Sequence, residues 1–232
     1  YTYDGTVSPL PSNVRRYVFS DINDLQFQQI VAGTNEGFSE VWWFYCSAGS
    51  TTNDRYVVYN YVENLWFYGT LGRTAWLDSG LRASPLAATY TNNLVNHEVG
   101  TDNKESAATT AITATVTSAE FDLEDGHQFA FIKRVLPDVT FIGSTAESPA
   151  VTLSLEALQN SGSGYNSPAS EGGNSSATVT RIATVPIEQF TGQAFVRIRG
   201  RQLALKIESN AVGVAWQLGV PRLDMRPDGR RG

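Results

Sequence analysis

The chain has 232 residues and a formal net charge of −6, and 17% of its residues are charged while 11% are aromatic. This composition excludes an intrinsically disordered protein, and the length can bury one large hydrophobic core or two small ones. The single cysteine, Cys46, excludes an internal disulfide and a cysteine-rich metal site. No apolar run approaches the roughly 18–20 residues that span a bilayer, so no membrane insertion is expected.

The first third of the chain predicts an antiparallel meander. Residues 41–46 form a dense aromatic and β-branched run, and we expect a strand that is buried on both faces. Residues 55–61 and 65–69 predict two further strands, because both are apolar and only the short polar turn 62–64 separates them. Residues 85–99 are expected to add a fourth strand or a hairpin to the same unit.

The segments on either side of this meander have weaker signals. Residues 16–19 predict a short strand, residues 21–23 a turn-like helix and residues 28–33 another strand. Polar residues 101–111 predict a linker or a long loop near a domain boundary. We also expect a fragment of a longer chain, because the sequence begins at Tyr1 without an initiating Met or a signal peptide.

Two architectures explain the meander. A four-stranded unit of this length with aromatic residues at its inner positions is typical of a β-propeller blade. A meander within a β-sandwich would give the same pattern, and the pattern alone does not decide between them. The expectation for residues 1–110 is a propeller-blade-like region, which belongs to a longer chain if the sequence is a fragment.

Residues 111–232 predict a second all-β region. Apolar and polar residues alternate within residues 120–126 and 151–156, which indicates strands with one buried face. Residues 159–178 are rich in Ser, Gly and Asn, and they predict a long mobile loop because they have too little apolar surface to fold alone. The expected fold is β-sandwich-like. Further strands are expected at residues 112–117, 129–136, 139–142, 178–184, 194–200 and 203–208.

The charge of the chain is distributed unevenly. Residues 1–196 carry 9 basic and 20 acidic side chains, whereas residues 197–232 carry 8 basic and 3 acidic ones. A mainly acidic body disfavours nucleic acid as a tightly held ligand, because the neutralisation of phosphates supplies most of such affinity. The basic C-terminal segment favours contact with an acidic protein neighbour, and simple solvated charge is the alternative.

The arginines of this segment are the candidate site. Arg197, Arg199 and Arg201 alternate with apolar residues, which predicts three guanidinium groups on one strand face. Leu203 has the same odd parity, so the chain must bulge or turn near Gly200. Two interpretations are open for this face. It is either a solvent-exposed side of the strand that happens to be basic, or a surface whose arginines bind carboxylates of an adjacent subunit in a bidentate manner. The arginines assigned to this candidate subunit interface are Arg197, Arg199, Arg201, Arg222, Arg226, Arg230 and Arg231.

Sequence motifs of catalysis are absent. The chain has no G-x-S-x-G, P-loop, H-E-x-x-H or paired-cysteine spacing. His97 and His127 are expected to be surface or hydrogen-bonded histidines, and Cys46 a small buried hydrophobe. A group of acids offers a carboxylate pair of the kind glycoside hydrolases use, but most of its members share one solvated strand face. That group is Glu120, Asp122, Glu124 and Asp125. The sequence therefore predicts a protein without catalytic activity, cofactor or metal.

Two parts of the chain resemble a known family. Residues 35–45, with the sequence NEGFSEVWWFY, and residues 53–61 and 64–66 resemble the propeller blades of tail hub or nozzle proteins of short-tailed bacteriophages. These proteins are also called packaged-DNA stabilisation proteins. The closing residues 213–219, 221–224 and 226–231 are similar to the C-terminal ends of such virion proteins, and residues 199–201 also fit that ending.

The resemblance covers roughly residues 10–70 and 190–232, and it implies a structural virion protein of the phage tail. The implied assembly is a homo-hexameric ring below the portal and adaptor proteins and beside the tail spike or fibre proteins. The genome would be retained and then ejected through this ring, with transient, non-specific passage of double-stranded DNA. Such a ring is assembled in the host cytoplasm and is located in the virion.

Charge is compatible with that role. An acidic wall repels phosphate and lets a duplex slide, while a basic segment seats each subunit on an acidic neighbour.

The alternative function is a carbohydrate-binding tail or adhesin module that contacts glycans of the host surface. Tryptophan side chains stack on sugar rings, and five tryptophans are present. Trp42, Trp43 and Trp66 lie among other apolar residues and are expected in the core. Trp76 and Trp216 are the candidates for a stacking platform.

Overall fold

The computed structural model describes residues 1–78, 80–123, 127–158 and 179–230. Strands make up 50% of the structure and helices 8%, and the strands form several antiparallel sheets, which confirms the predicted all-β class. No closed barrel or propeller is detected among the described residues.

The described chain divides into two compact units, residues 1–99 and residues 100–230. The predicted domain boundary at residue 110 lies within the second unit. The loop predicted at residues 159–178 lies outside the described residues.

The first unit is a series of short strands with one α-helix near its start and two 3-10 helices. Its elements are β1 (Thr2–Tyr3), β2 (Val7–Ser8), α1 (Arg15–Asp21), a 3-10 helix (Asp24–Gln29), β3 (Val31–Asn35), a second 3-10 helix (Glu36–Phe38), β4 (Glu40–Tyr45), β5 (Arg55–Asn60), β6 (Leu65–Thr70), β7 (Ala75–Leu77), β8 (Leu86–Ala88) and β9 (Leu94–Asn96).

The predicted meander is present as a four-stranded sheet in the order β3-β4-β5-β6. Strands β4, β5 and β6 correspond to the predicted strands at residues 41–46, 55–61 and 65–69. The short turn after Asn60 joins β5 to β6, as predicted. The fourth strand, however, is β3 on the N-terminal side. Residues 85–99 contain the hairpin β8-β9, but it belongs to a separate three-stranded sheet in the order β7-β8-β9.

The strand predicted at residues 16–19 is wrong, because this segment belongs to helix α1. Val14, Tyr17 and Val18 recur at the helical spacing of three and four residues, and the first two of them are buried. The centres of the Tyr17 ring and of the Tyr68 ring on β6 are 4.3 Å apart. The four-residue window 16–19 is too short to distinguish this period from the alternation of a strand.

The second unit contains longer strands. Its elements are β10 (Asp102–Asn103), β11 (Thr110–Ala111), β12 (Ala114–Thr117), β13 (Phe121–Asp122), β14 (Gln128–Leu136), β15 (Val139–Thr140), β16 (Ala150–Leu158), β17 (Val179–Glu188), β18 (Ala194–Gly200), β19 (Gln202–Ser209), β20 (Gln217–Leu218) and β21 (Arg222–Arg230).

Two sheets of the second unit share one hydrophobic core. The large sheet has the order β12-β19-β16-β17, with β13 also paired to β19, and the small sheet has the order β18-β14-β21. Ile132 and Ile198 from the small sheet and Leu155 from the large sheet are fully buried in this core. Since strand side chains alternate between the two faces, each sheet also has an outer face that points away from the core.

Candidate subunit interface

The small sheet carries Arg197 and Arg199 on its outer face. Residues of β18 alternate strictly between buried and exposed positions, and both arginines are exposed while Val196 and Ile198 are buried. Two of the three arginines that were expected to share a face therefore do so.

Arg201 lies in the turn between β18 and β19 and not on the strand. This turn confirms the predicted change of direction near Gly200. A Cβ atom at Gly200 would lie 2.9 Å from the Ala157 Cβ and 2.8 Å from the Gln202 carbonyl oxygen, so only glycine fits without a shift. The Arg201 backbone N–H then donates to the Leu158 carbonyl at 3.1 Å.

Strand β21 brings two further arginines to the same outer face. Leu223 and Met225 pack against the core, so Arg222 and Arg226 point outward by alternation, and both are exposed. Arg230 ends β21, and its side chain is not among those described; Arg231 lies outside the described residues.

The two groups of arginines meet across the central strand β14. Phe131 of β14 pairs with Arg199 on one side and with Arg226 on the other, so the three residues form a row across the sheet. The Arg226 guanidinium lies 4.9 Å from the centre of the Phe131 ring, and that of Arg199 lies 4.1 Å from the centre of the Phe129 ring. The rings hold the cations in place through cation–π attraction.

Strand β14 also supplies cations that sequence reasoning missed. Lys133 and Arg134 both contact the Asp224 carboxylate, at 3.4 Å and 3.2 Å. Arg199 pairs with Asp228 at 2.7 Å. These partners are about 90 or 30 residues apart in the sequence, so only the pairing of the strands brings them together. The adjacent residues Lys133 and Arg134 interrupt the alternation of β14, because the pairing shifts register between Ile132 and Arg134.

We call this outer surface of the small sheet the basic–aromatic face. It has six basic and two acidic side chains, together with exposed or half-buried phenylalanines. Its members are Phe129, Phe131, Lys133, Arg134, Phe195, Arg197, Arg199, Arg222, Asp224, Arg226 and Asp228.

The basic–aromatic face has the chemistry of a protein interface. Phe195 is 71% exposed and pairs with Arg134 across the strands, so a large exposed apolar side chain lies beside a cation. Aromatic residues and arginine are enriched in interfaces, where guanidinium groups bind carboxylates in a bidentate manner. The exposed ion pairs within the face contribute little to folding stability, which leaves the arginines available for a partner.

The remaining candidates from the sequence lie elsewhere. The Arg73 Nε donates to His97 Nε2 at 2.9 Å, and Cys46 is buried with its thiol 3.4 Å from Asn53 Oδ1. Burial raises the pKa of the Cys46 thiol. Of the acidic group, Asp122 is on β13, while Glu124 and Asp125 lie outside the described residues.

A pair of carboxylates in the first unit had not been expected. The buried amide of Asn35 donates from one nitrogen to Glu40 at 3.4 Å and to Glu98 at 3.3 Å. Trp42 Nε1 also donates to Glu40 at 2.9 Å. Burial of the carboxylate and the nearby charge of Glu40 raise the pKa of Glu98, although the hydrogen bond from Asn35 opposes this.

Both candidate tryptophan platforms are engaged in packing. Trp76 stacks on Trp42 with 5.3 Å between ring centres, and its ring lies 4.5 Å from that of His97. Trp216 packs against the core of the second unit and donates from Nε1 to Ser209 Oγ at 2.9 Å. Carbohydrate binding through these side chains stays a prediction.

The first unit has a cavity of about 510 Å³ on the side of the meander that faces α1. Trp43, Val57 and Trp66 from the sheet and Val18 from α1 contribute to its wall. Tyr45 also lines the cavity, and its buried hydroxyl has no hydrogen-bond partner among the described residues.

The described part of the chain contains no group of three or more His, Cys, Asp or Glu residues placed to hold a metal ion. None of its helices is both long and apolar enough to span a membrane.

Comparison with models of known protein families gives no match, and no curated protein matches the chain.

Proposed function

We propose that this protein is a structural subunit of a bacteriophage virion, in the tail hub or nozzle ring of a short-tailed phage. In this role it forms part of the channel through which the genome is retained and then ejected. The observation that supports the proposal most directly is the basic–aromatic face, which presents Arg197, Arg199 and Arg226 together with the exposed Phe195 and the half-buried Phe129 and Phe131. A ring subunit needs such a surface to contact its neighbour.

The first unit supports the propeller part of the proposal. The meander β3-β4-β5-β6 and the following sheet β7-β8-β9 are consecutive antiparallel units. Trp76 of β7 packs on the meander, where it lies beside Trp42 and Phe44. Consecutive sheets that pack face to face through aromatic side chains are what adjacent propeller blades require. The second unit, with two sheets around one core, corresponds to the sandwich-like region.

The charge distribution suits a DNA conduit. The excess of acidic residues in positions 1–196 would repel phosphate along a channel wall, so a duplex would pass without being held. We place the protein in a homo-hexameric ring next to the portal and adaptor proteins and the tail spike or fibre proteins.

The test is the oligomeric state and the outline of the purified protein. We expect sedimentation velocity to show a species much larger than the 25.3 kDa monomer, and negative-stain electron microscopy to show rings with a central channel. A monomer at all accessible concentrations would contradict the proposal.

A paired variant locates the contact. Arg197→Glu with Arg226→Glu should weaken ring formation by at least about tenfold, because the reversed charges repel an acidic partner. The control, Arg15→Glu with Arg16→Glu, has the same change of net charge on exposed positions of α1 and should assemble normally. Equal assembly of both variants, with unchanged thermal unfolding, would show that the basic–aromatic face is not part of the interface.

A further inference from the structure

The outer face of the large sheet differs in charge from the basic–aromatic face. Leu153 and Leu155 of β16 and Ile207 of β19 point into the core, so the residues between them point outward. We call this surface the acidic–hydroxyl face. Its charged and hydroxyl members are Thr115, Thr117, Thr152, Ser154, Glu156, Thr184, Glu188, Lys206 and Glu208.

The charges on this face are mostly negative and partly unpaired. Lys206 pairs with Glu208. Within the described part of the chain, Glu156 and Glu188 have no basic side chain within 4.0 Å. These two carboxylates can each accept a bidentate contact from a guanidinium group of a partner.

The basic–aromatic face has the complementary set. Arg197, Arg222 and Arg226 have no carboxylate within 4.0 Å among the described residues. Each of the two faces also presents one exposed apolar side chain next to its charges: Phe195, 71% exposed, pairs with Arg134, and Ile182, 55% exposed, pairs with Glu156.

The spacing of the charges also agrees. Arg222 and Arg226 are four residues apart on β21, which is about 13 Å along a strand. On the other face, Glu208 is opposite Thr152. Thr152 precedes Glu156 by four residues of β16, so Glu156 and Glu208, which itself pairs with Lys206, are separated by about 13 Å parallel to the strands and by one strand spacing of about 4.8 Å across the sheet.

We propose that the basic–aromatic face of one copy docks on the acidic–hydroxyl face of a second copy. The contact is head to tail, because two different surfaces meet. A repeated head-to-tail contact generates a closed ring when its rotation closes, whereas a contact between two identical faces stops at a dimer. This inference rests on the proposed ring function and names the surface that each subunit offers to the next.

The experiment uses two charge-reversed variants of the full chain. The first, Arg222→Glu with Arg226→Glu, makes the basic–aromatic face acidic. The second, Glu156→Arg with Glu208→Arg, makes the acidic–hydroxyl face basic. Each variant alone brings like charges together, so its association should be at least about tenfold weaker than that of the unmodified chain.

A mixture of the two variants is the decisive measurement. In an equimolar mixture, the reversed face of each variant meets a complementary face on the other, so assembly should return to near the level of the unmodified chain. Sedimentation velocity measures the assembly, and thermal unfolding checks that each variant is folded. The control pair, Arg15→Glu with Arg16→Glu and Glu36→Arg with Glu63→Arg, has the same charge changes on exposed positions of the first unit and should assemble normally alone and mixed.

Different failures have different meanings. If the unmodified chain forms rings and either variant alone also forms them, or if the mixture does not assemble, the head-to-tail pairing is wrong while the ring function stands. If the unmodified chain is a monomer, the proposed function itself fails.

Discussion

Two buried tyrosine hydroxyl groups of the meander differ in their hydrogen bonding. Tyr45 and Tyr59 are both buried on the same side of the sheet, at 2% and 8% exposure. The Tyr59 hydroxyl donates to Asn64 Oδ1 at 2.7 Å and so holds the β5–β6 turn, where Asn64 has a positive φ of 57°. Burial raises the pKa of Tyr45 far above its usual value, so its hydroxyl stays neutral at all ordinary pH values.

The pair Tyr45→Phe and Tyr59→Phe tests this difference. Tyr45→Phe should raise the free energy of unfolding by about 1 kcal/mol, because it removes a buried polar group that lacks a partner among the described residues. Tyr59→Phe should lower it by about 1 kcal/mol, because Asn64 then loses its donor. Urea unfolding followed by circular dichroism measures both. A loss of stability in Tyr45→Phe equal to that in Tyr59→Phe would show that the Tyr45 hydroxyl has a partner.

Glu98 makes the stability of the first unit depend on pH. Burial and the nearby charge of Glu40 raise its pKa in the folded state above the usual value of a glutamate. A carboxyl group with a raised pKa binds its proton more tightly in the folded state. The stability that Glu98 contributes is therefore fully present below its pKa in the unfolded chain. It is lost as the pH rises through its pKa in the folded protein.

Glu98→Gln should remove this dependence. The variant keeps an oxygen that accepts from Asn35 but has no charge to desolvate, so it should be more stable than the original chain at pH 7 and equal to it near pH 4. The control is Glu63→Gln, at an exposed position of the β5–β6 turn. Urea midpoints at both pH values decide the matter: an equal gain at pH 4 and pH 7 would mean that ionisation of Glu98 is not the cause.

At the scale of elements, the contact of β7 with the meander depends on a glycine. Gly33 pairs with Trp42 in the β3–β4 ladder, and Trp76 lies directly over it. A Cβ atom at Gly33 would be 2.1 Å from Trp76 Cδ1, far inside van der Waals contact. The indole would have to move, and with it the hydrogen bond from Trp76 Nε1 to the Thr34 carbonyl at 2.7 Å.

Gly33→Ala should therefore lower the free energy of unfolding by about 1–3 kcal/mol, the usual cost of overpacking. It should also shift the tryptophan emission to longer wavelength, as Trp76 becomes more exposed. The matched control is Gly49→Ala, where an added Cβ meets nothing within 4 Å. Equal stabilities of the two variants would show that Trp76 adapts at no cost.

Elements with local signals could be predicted from the sequence, and the rest could not. β5 and β6 have dense apolar runs separated by a short polar turn, so their pairing needs no distant information. Helix α1 was missed because its apolar period is visible only when Val14 is included. β3 was not assigned to the meander, because hydrophobicity does not specify which neighbour a strand selects.

The candidate site was predictable only in part for the same reason. Alternation placed Arg197 and Arg199 on one face, since it needs only residues of a single strand. Their neighbours Arg134 and Arg226 come from strands that are distant in the sequence. Likewise, Glu98, which follows β9, and Glu40 of β4 come together only because both accept from Asn35.

At the scale of the whole molecule, a ring held by complementary charge should depend on salt. The Debye length falls from about 10 Å at 0.1 M to about 3 Å at 1 M ionic strength, so contacts between exposed charges weaken. We expect sedimentation velocity to show loss of the ring between about 0.1 M and about 1 M NaCl. A ring that persists or strengthens at 1 M NaCl would indicate a mainly apolar contact around Phe195 instead.

The central position of β14 in the small sheet has a consequence for biosynthesis. One of its edges pairs with β18 and the other with β21, which ends at Arg230. A ribosome must translate about 90 further residues after β14 before its second partner emerges, and the apolar nascent strand is unprotected in that interval. Refolding of the second unit should accordingly be slow, because the entropy of closing such long loops is lost before the paired strands stabilise the chain. For the same reason, overexpression at high temperature should favour inclusion bodies.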